Sequence, residues 1–137
     1  MKNTSPSNLD LSIVIPVYNE RDNLVPLEEK LEKVLSKLQL SYEIIMVDDG
    51  SVDGSPHIIN SIKNNNPRIK LIRFGSNHGQ SAAFAAGFKA ARGKIFVTLD
   101  ADLQNNPADI PLLLEKMDEF DVVCGWRFKR NDPWVKR

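Results

Sequence analysis

Two carboxylates one residue apart raise the question of chemistry. Asp100-Ala101-Asp102 follows the uncharged run Ile95-Phe96-Val97-Thr98-Leu99. That run is rich in β-formers and apolar on both faces, which predicts a strand covered on both faces, as in a parallel sheet. The acids sit where such a strand ends, and open α/β sheets bind ligands beyond the carboxyl ends of their strands. In extended backbone, residues 100 and 102 project to the same side. Two carboxylates so placed repel each other, and a cation between them relieves the repulsion. A hard ion such as Mg²⁺ or Mn²⁺ takes oxygen ligands and leaves positions open for phosphate. A bare Asp-x-Asp is equally what a solvated loop looks like, so the surrounding chain has to decide.

The elements that must position these acids are legible from periodicity. Leu11–Val17 is a first apolar strand, with Pro16 marking its end because proline cannot donate to a ladder. Tyr18-Asn19-Glu20 follows as a loop. A helix begins near Arg21 with Leu24, Leu27, Leu31, Val34, Leu35 and Leu38 as its apolar stripe. Pro26 is expected in its first turn, and Glu28, Glu29, Lys30, Glu32, Lys33 and Lys37 on a solvated face. The second strand, Tyr42–Val47, also ends in acids, Asp48-Asp49, before Gly50. Ser55 is expected to cap the next helix with Pro56 at its first position. A third strand, Ile69–Phe74, leads to Gly75-Ser76-Asn77-His78-Gly79-Gln80. The following helix, about Ser81–Arg92, is thin: Ala82, Ala83, Ala85, Ala86, Gly87, Ala90 and Ala91 predict close packing on the sheet. Gly93 is expected to stop it in a left-handed conformation. After the acid pair, Asn106 and Pro107 start another helix, and Asp121–Gly125 reads as a last strand. Strand and helix alternate throughout, which implies an α/β fold with a mostly parallel sheet and helices on both faces. Right-handed crossovers then gather Tyr18-Asn19-Glu20, Asp48-Asp49 and Asp100-Ala101-Asp102 on one edge.

Composition sets the outer limits. With 137 residues, 42% hydrophobic and 26% charged, the chain can bury a real core. Formal net charge is zero, so charge supplies no reason to expect nucleic acid as a partner. The single cysteine, Cys124, allows no intrachain disulfide and suits a reducing, cytoplasmic setting. No apolar run approaches the roughly 18 residues of a membrane span. Residues 1–8 read as a flexible polar tail, and residues 127–137 form a basic one. His57 and His78 have no further His or Cys at metal-ligand spacing and read as structural or solvent-facing.

Taken together, the motifs resemble those of the family 2 glycosyltransferases, nucleotide-sugar enzymes of the GT-A fold. The resemblance rests on Val14-Ile15-Pro16-Val17-Tyr18-Asn19-Glu20, Val47-Asp48-Asp49-Gly50-Ser51-Val52-Asp53-Gly54, Asn77-His78-Gly79-Gln80-Ser81-Ala82-Ala83, Ala91-Arg92-Gly93 and Leu99-Asp100-Ala101-Asp102-Leu103-Gln104. These occur in the family's order and cover about residues 11–137. Asp100-Ala101-Asp102-Leu103-Gln104 with Pro107, and Gly125-Trp126-Arg127-Phe128-Lys129-Arg130, look most like the subgroup that makes polyprenyl-phosphate sugars, as dolichol-phosphate mannose synthase does.

The resemblance implies roles by position. Pro16, Tyr18 and Glu20 would line the nucleotide pocket, Asp49 would bind base or ribose, and Asp48 would support that loop. Asp100 and Asp102 would approach ribose and metal, with Gln104 as a further metal ligand. Arg127 and Arg130 would meet phosphate oxygens. It further implies a Mg²⁺ or Mn²⁺ cofactor, a nucleotide-diphospho-sugar donor, a lipid-phosphate or glycan acceptor, and transfer with inversion. A polyprenyl phosphate is already anionic and needs no general base, and no assured base stands after residue 120. Full members continue further, so residues 9–137 read as a donor-binding part truncated at its C-terminal end. Membrane association, if any, would then come through parts outside this chain, at a cytoplasmic membrane face, and self-association is left open. Two alternatives stand beside this reading. One is a nucleotide-sugar-binding module without transfer activity. The other is a sugar-nucleotide pyrophosphorylase, which would want a glycine-rich, arginine-containing turn after the first strand, whereas Tyr18-Asn19-Glu20 has neither residue.

Overall fold

A computed structural model describes residues 9–117. Within them, four parallel strands form a sheet of order β3-β2-β1-β4. The strands are β1 (Leu11–Val17), β2 (Tyr42–Asp48), β3 (Ile69–Arg73) and β4 (Ile95–Thr98). The helices are α1 (Arg21–Leu35), α2 (Ser55–Asn65), α3 (Gln80–Ala90) and α4 (Ile110–Lys116), the last preceded by a 3₁₀ turn at Pro107–Asp109. The expected alternation and parallel sheet are present. The expected strand at Asp121–Gly125 lies outside the described residues.

The alternating faces of the strands sort the core into two layers. Ile13, Ile15 and Val17 of β1 and Ile44 and Met46 of β2 pack with Leu24, Leu27, Leu31 and Leu35 of α1 and Ile59 of α2. Ile45 and Val47 face the other way, onto Ala83 of α3. The thin profile of α3 has its reason here: a Cβ at Gly87 would collide with the Val14 side chain. Asn106 caps the 3₁₀ turn as expected, its Oδ1 accepting from the Ala108 N–H at 3.0 Å.

Several local expectations are corrected. β4 is the edge strand of the described sheet. Ile95 and Val97 pack on the core, but Phe96 is 44% exposed, so the run is not covered on both faces. The outward face instead builds a stack of Phe84, Phe88 and Phe96, with ring centroids 5.9 and 5.6 Å apart. Pro26 lies inside α1, past its first turn, because the helix starts at Arg21. A proline there removes a helical hydrogen bond at a cost of about 3 kcal/mol, set against four fully buried leucines on the inner face. Ser55 is the first helical residue, with Gly54 in the left-handed region ahead of it. Its hydroxyl donates to Asp53 Oδ1 rather than capping the helix. Glu28 and Glu32 are not merely solvated: both accept from Asn66 Nδ2, and Glu32 also accepts from the Tyr42 hydroxyl at 2.7 Å. Burial, together with that acidic partner, pushes the Tyr42 phenol up to about 12.

Gly93 is not left-handed. It is small because it passes against the start of β1, where a Cβ would come within 2.6 Å of the Ser12 nitrogen. This close approach belongs to a polar knot at the amino-terminal rim of the sheet. Glu43, only 2% exposed, accepts from the Ser12 hydroxyl at 2.6 Å, from Lys70 Nζ at 2.7 Å and from the Arg92 N–H at 2.7 Å. Gly93 N–H donates to Ser12 Oγ at 2.7 Å. Burial alone would raise the Glu43 carboxyl, but the bonds from Lys70, Ser12 and Arg92 outweigh it and hold it below the usual range.

Candidate functional site

The parallel strands bring all their carboxyl ends to the rim opposite Glu43. The chain runs outward from β1 to β2 to β3, then returns to the other side of β1 for β4. That reversal opens a crevice between the loops, the usual place for a ligand in such sheets. A cleft of about 340 Å³ lies there, lined by Pro16, Val17, Tyr18, Glu20, Asp49, Asn77, Gly79, Gln80, Asp100, Ala101 and Asp102. Loops from four separate parts of the chain therefore meet, and Asp49, Asp100 and Asp102 share one rim.

The wall formed after β1 and β2 is locked by exchanged hydrogen bonds. Asn19, in the left-handed region at φ 55°, donates its N–H to Ser51 Oγ at 2.8 Å and accepts from the Val52 N–H through Oδ1 at 2.9 Å. Glu20 N–H donates to Ser55 Oγ, and Arg21 donates to Asp53 from both its backbone and its guanidinium. Burial would raise the Asp53 carboxyl, yet the bonds from Ser55 and the Arg21 N–H lower it. Tyr18, 47% exposed, stands open to the cleft.

Asp48 and Asp49 divide their work. Asp48 is buried beneath the cleft and does not line it. Its Oδ2 accepts from the Ser51 N–H at 3.0 Å, in keeping with a loop-supporting role, while Oδ1 has no hydrogen-bond partner among the described residues. Asp49 lines the cleft but is only 4% exposed. Its carboxylate accepts from His78 N–H at 2.6 Å, Gly79 N–H at 2.9 Å and Asn77 Nδ2 at 3.1 Å. It therefore fixes the loop that opens α3. Gly50 makes this possible, with φ of 79° and a position where any Cβ would strike the backbone of Ser76 and Asn77.

The acid pair is carried by a turn, not by extended backbone, since β4 ends at Thr98. Local bonds form it: Asn105 Oδ1 accepts from the Asp100 N–H at 3.2 Å, and Asp102 Oδ1 from the Gln104 N–H at 3.0 Å. Leu103 sits at φ 66°, uncommon for a bulky residue. Leu99, Ala101 and Leu103 pack into the core while Asp100 and Asp102 line the cleft, so every second residue of the turn is anchored. Gln104 does not line the cleft. Arg127 and Arg130 lie outside the described residues. His78 is exposed, 3.3 Å from Ser76 Oγ and edge-on to Phe74, in line with the structural reading.

Residue type alone assigns no role to Asn77, Gly79 and Gln80, although the structure puts them on the cleft wall. The signal for them is a glycine immediately before a helix that follows a strand. Gln80 donates through Nε2 to Asp100 Oδ1 at 3.0 Å, tying the start of α3 to the acidic turn.

Among the described residues, no group of three or more His, Cys, Asp and Glu side chains could hold an ion. Two carboxylates still fit a hard divalent cation, because such ions are commonly held by one or two carboxylates with water and phosphate completing the shell. The donor set contains oxygen only, which suits Mg²⁺ or Mn²⁺ and not a thiolate-seeking metal.

The parallel sheet and its acid-lined crevice define a Rossmann-like α/β fold of the GT-A type. The chain belongs to glycosyl transferase family 2, whose family model matches residues 12–137. Solved structures with this fold include a mannosyl-3-phosphoglycerate synthase from Rubrobacter xylanophilus (TM-score 0.67, 21% identity, 81% of this chain and 36% of that one). S. aureus TarS 1–349 in complex with UDP-GlcNAc is similar at TM-score 0.63 and 23% identity, over 81% of this chain and 32% of that one. The mannosyltransferase PcManGT from Pyrobaculum calidifontis, in complex with GDP-Man and Mn²⁺, matches at TM-score 0.60 and 24% identity, over 78% of this chain and 32% of that one. This chain thus spans about a third of the length of these proteins. No helix among the described residues is long and apolar enough to cross a membrane.

Proposed function

We propose that this chain is the donor-binding part of an inverting, metal-dependent glycosyltransferase that moves a sugar from a nucleotide diphosphate to a polyprenyl phosphate. The observation that carries the reading is the convergence of Tyr18, Asp49, Asp100 and Asp102 on one cleft, in a chain of this family. Pro16, Tyr18 and Glu20 form the wall against which base and ribose lie. Asp49, through its hold on residues 77–79, shapes the floor and presents its remaining acceptor capacity to the nucleoside. Asp100 and Asp102, which both line the cleft, hold the cation. When bound, the cation supplies Lewis-acid neutralisation of the departing diphosphate. Arg127 and Arg130 add positive charge for phosphate oxygens of donor or acceptor. An anionic phosphate acceptor attacks the anomeric carbon without a proton being removed, so the chain needs no general base for it. The similar fold of PcManGT, solved with GDP-Man and Mn²⁺, supports the cofactor and donor class. The subgroup assignment rests on Asp100-Ala101-Asp102-Leu103-Gln104 and the Gly125–Arg130 stretch.

A second reading, in which the chain holds donor and metal without transferring the sugar, stands beside this one. Thermal-shift measurements with GDP-, UDP- and dTDP-sugars, each with and without Mn²⁺, test the common part of both readings. One nucleotide should raise the melting temperature in a metal-dependent way. No shift with any of them, from folded protein, refutes the donor site. Radiolabelled transfer to a polyprenyl phosphate, run beside donor hydrolysis, then separates enzyme from binding module.

A further inference from the structure

We propose that Gln80 is a positioning residue that orients the Asp100 carboxylate for the cation, an inference that rests on the donor-site reading above. Gln80 is the first residue of α3, and its side chain crosses to the acidic turn to donate to Asp100 Oδ1 at 3.0 Å. The direction of that bond is set by chemistry. An ionised carboxylate only accepts, so the amide nitrogen, not its oxygen, must face it.

The reach of Gln80 is predetermined by the buried residues behind it. Asp49, 4% exposed, binds the N–H groups of His78 and Gly79 and the amide of Asn77. Gly79 turns at φ 99°, a conformation that favours glycine, and α3 starts at the next residue. The chain of contacts therefore runs from a fixed buried acid, through a glycine turn, to one amide, and from that amide to an oxygen of the second acid. Asp100 lies in a turn whose backbone N–H is held by Asn105. Gln80 adds a hold on the side chain itself and so restricts which way the carboxylate faces.

The choice of residue type matters as well. A lysine or arginine at position 80 would also donate to Asp100, but its charge would compete with a cation for the same carboxylate. A glutamate would repel it. A glutamine supplies a donor without charge, so its bond does not itself neutralise the Asp100 carboxylate. Partners that orient metal ligands in this way typically matter by 10- to 100-fold in metal affinity.

The test is Mn²⁺ binding followed by electron paramagnetic resonance, on the full 137-residue chain, in the presence of GDP and, separately, UDP. Wild type, Gln80→Ala, Gln80→Lys and Asp102→Asn are compared, with thermal unfolding of each. Gln80 is exposed, so all four proteins should melt at closely similar temperatures. Gln80→Ala should bind Mn²⁺ roughly tenfold more weakly than wild type. Gln80→Lys, which restores a donor but adds a charge, should be at least as weak. Wild-type affinity in either Gln80 variant overturns the proposal, since a merely structural tether would be satisfied by the lysine. A wild-type chain that takes up no Mn²⁺ with either nucleotide overturns the donor-site reading itself and this proposal with it. Weakened binding in both Gln80 variants, beside loss in Asp102→Asn, is the expected result.

Discussion

The two rims of the sheet treat their carboxylates in opposite ways. At the amino-terminal rim, Glu43 is almost fully buried and receives a lysine, a hydroxyl and a backbone N–H, and Gly93 packs against the Ser12 that supplies the hydroxyl. At the carboxyl-terminal rim, Asp100 and Asp102 sit in a turn with local hydrogen bonds, Gln80 donates to Asp100, and both acids lie along an open cleft. An acid given a counter-charge inside the fold is committed to the fold. Acids lined up along an open cleft are suited to a cation that arrives with its ligand. Asp49 is intermediate, buried like Glu43 yet on the cleft wall and held only by neutral donors.

This contrast can be broken most forcefully at Glu43. Replacing it with alanine strands the Ser12 hydroxyl and the Arg92 N–H and removes the partner of Lys70. The loss of stability should be about 3 kcal/mol in urea titrations. The fraction that remains folded should bind nucleotide and Mn²⁺ as before, and a loss of binding there would erase the distinction between the rims. Asp102→Asn should do the reverse. Metal-dependent transfer or donor binding should fall by roughly a hundredfold through loss of a metal ligand, while unfolding free energy stays within about 0.5 kcal/mol. Asp49→Asn sharpens the middle case: it should cost about 2 kcal/mol, through weakened charge-assisted bonds to residues 77–79, and should also weaken nucleotide binding. A variant that loses only one of the two would move Asp49 wholly to one class.

The smallest effect is in acid. The Glu43 carboxyl lies below its ordinary value of 4.5 in the folded chain. A depressed carboxyl contributes stability that is present above the unfolded-state value and is lost as pH falls through the folded-state value. Melting temperatures should therefore decline as pH drops below about 4.5, and Glu43→Gln should flatten part of that decline. Asp53, lowered in the same direction, contributes from its ordinary value of 3.8 downward. An unchanged acid limb in Glu43→Gln would show that the knot carries no net charge coupling.

Much of this arrangement was readable from residue order. Alternating apolar strands and amphipathic helices fixed the parallel sheet, and the acids after β1, β2 and β4 pointed to one rim. The small residues of α3 announced close packing, and Gly87 bears that out. What periodicity could not carry was pairing across distance. Glu43 looks like one polar residue in a strand, because its partners Ser12, Lys70 and Arg92 are 31, 27 and 49 positions away. Gly93 looked like a helix stop for the same reason: nothing local says that it passes against β1. Gln80 has no signal of its own beyond following a glycine, since its partner is 20 residues further on. The apolar run of β4 does not reveal its exposed face, because a strand at the edge of the described sheet and a central one can share the same run.

The acidic turn carries an apolar rivet at every second position, with Leu99, Ala101 and Leu103 set into the same core as β1 and α1. Its alignment is thus completed when the chain folds and does not wait for a ligand. Capture of the donor then inherits the cooperativity of the whole layer. On heating, competence to bind should vanish in the same transition as the near-ultraviolet signal of the packed aromatics, with no earlier phase of its own.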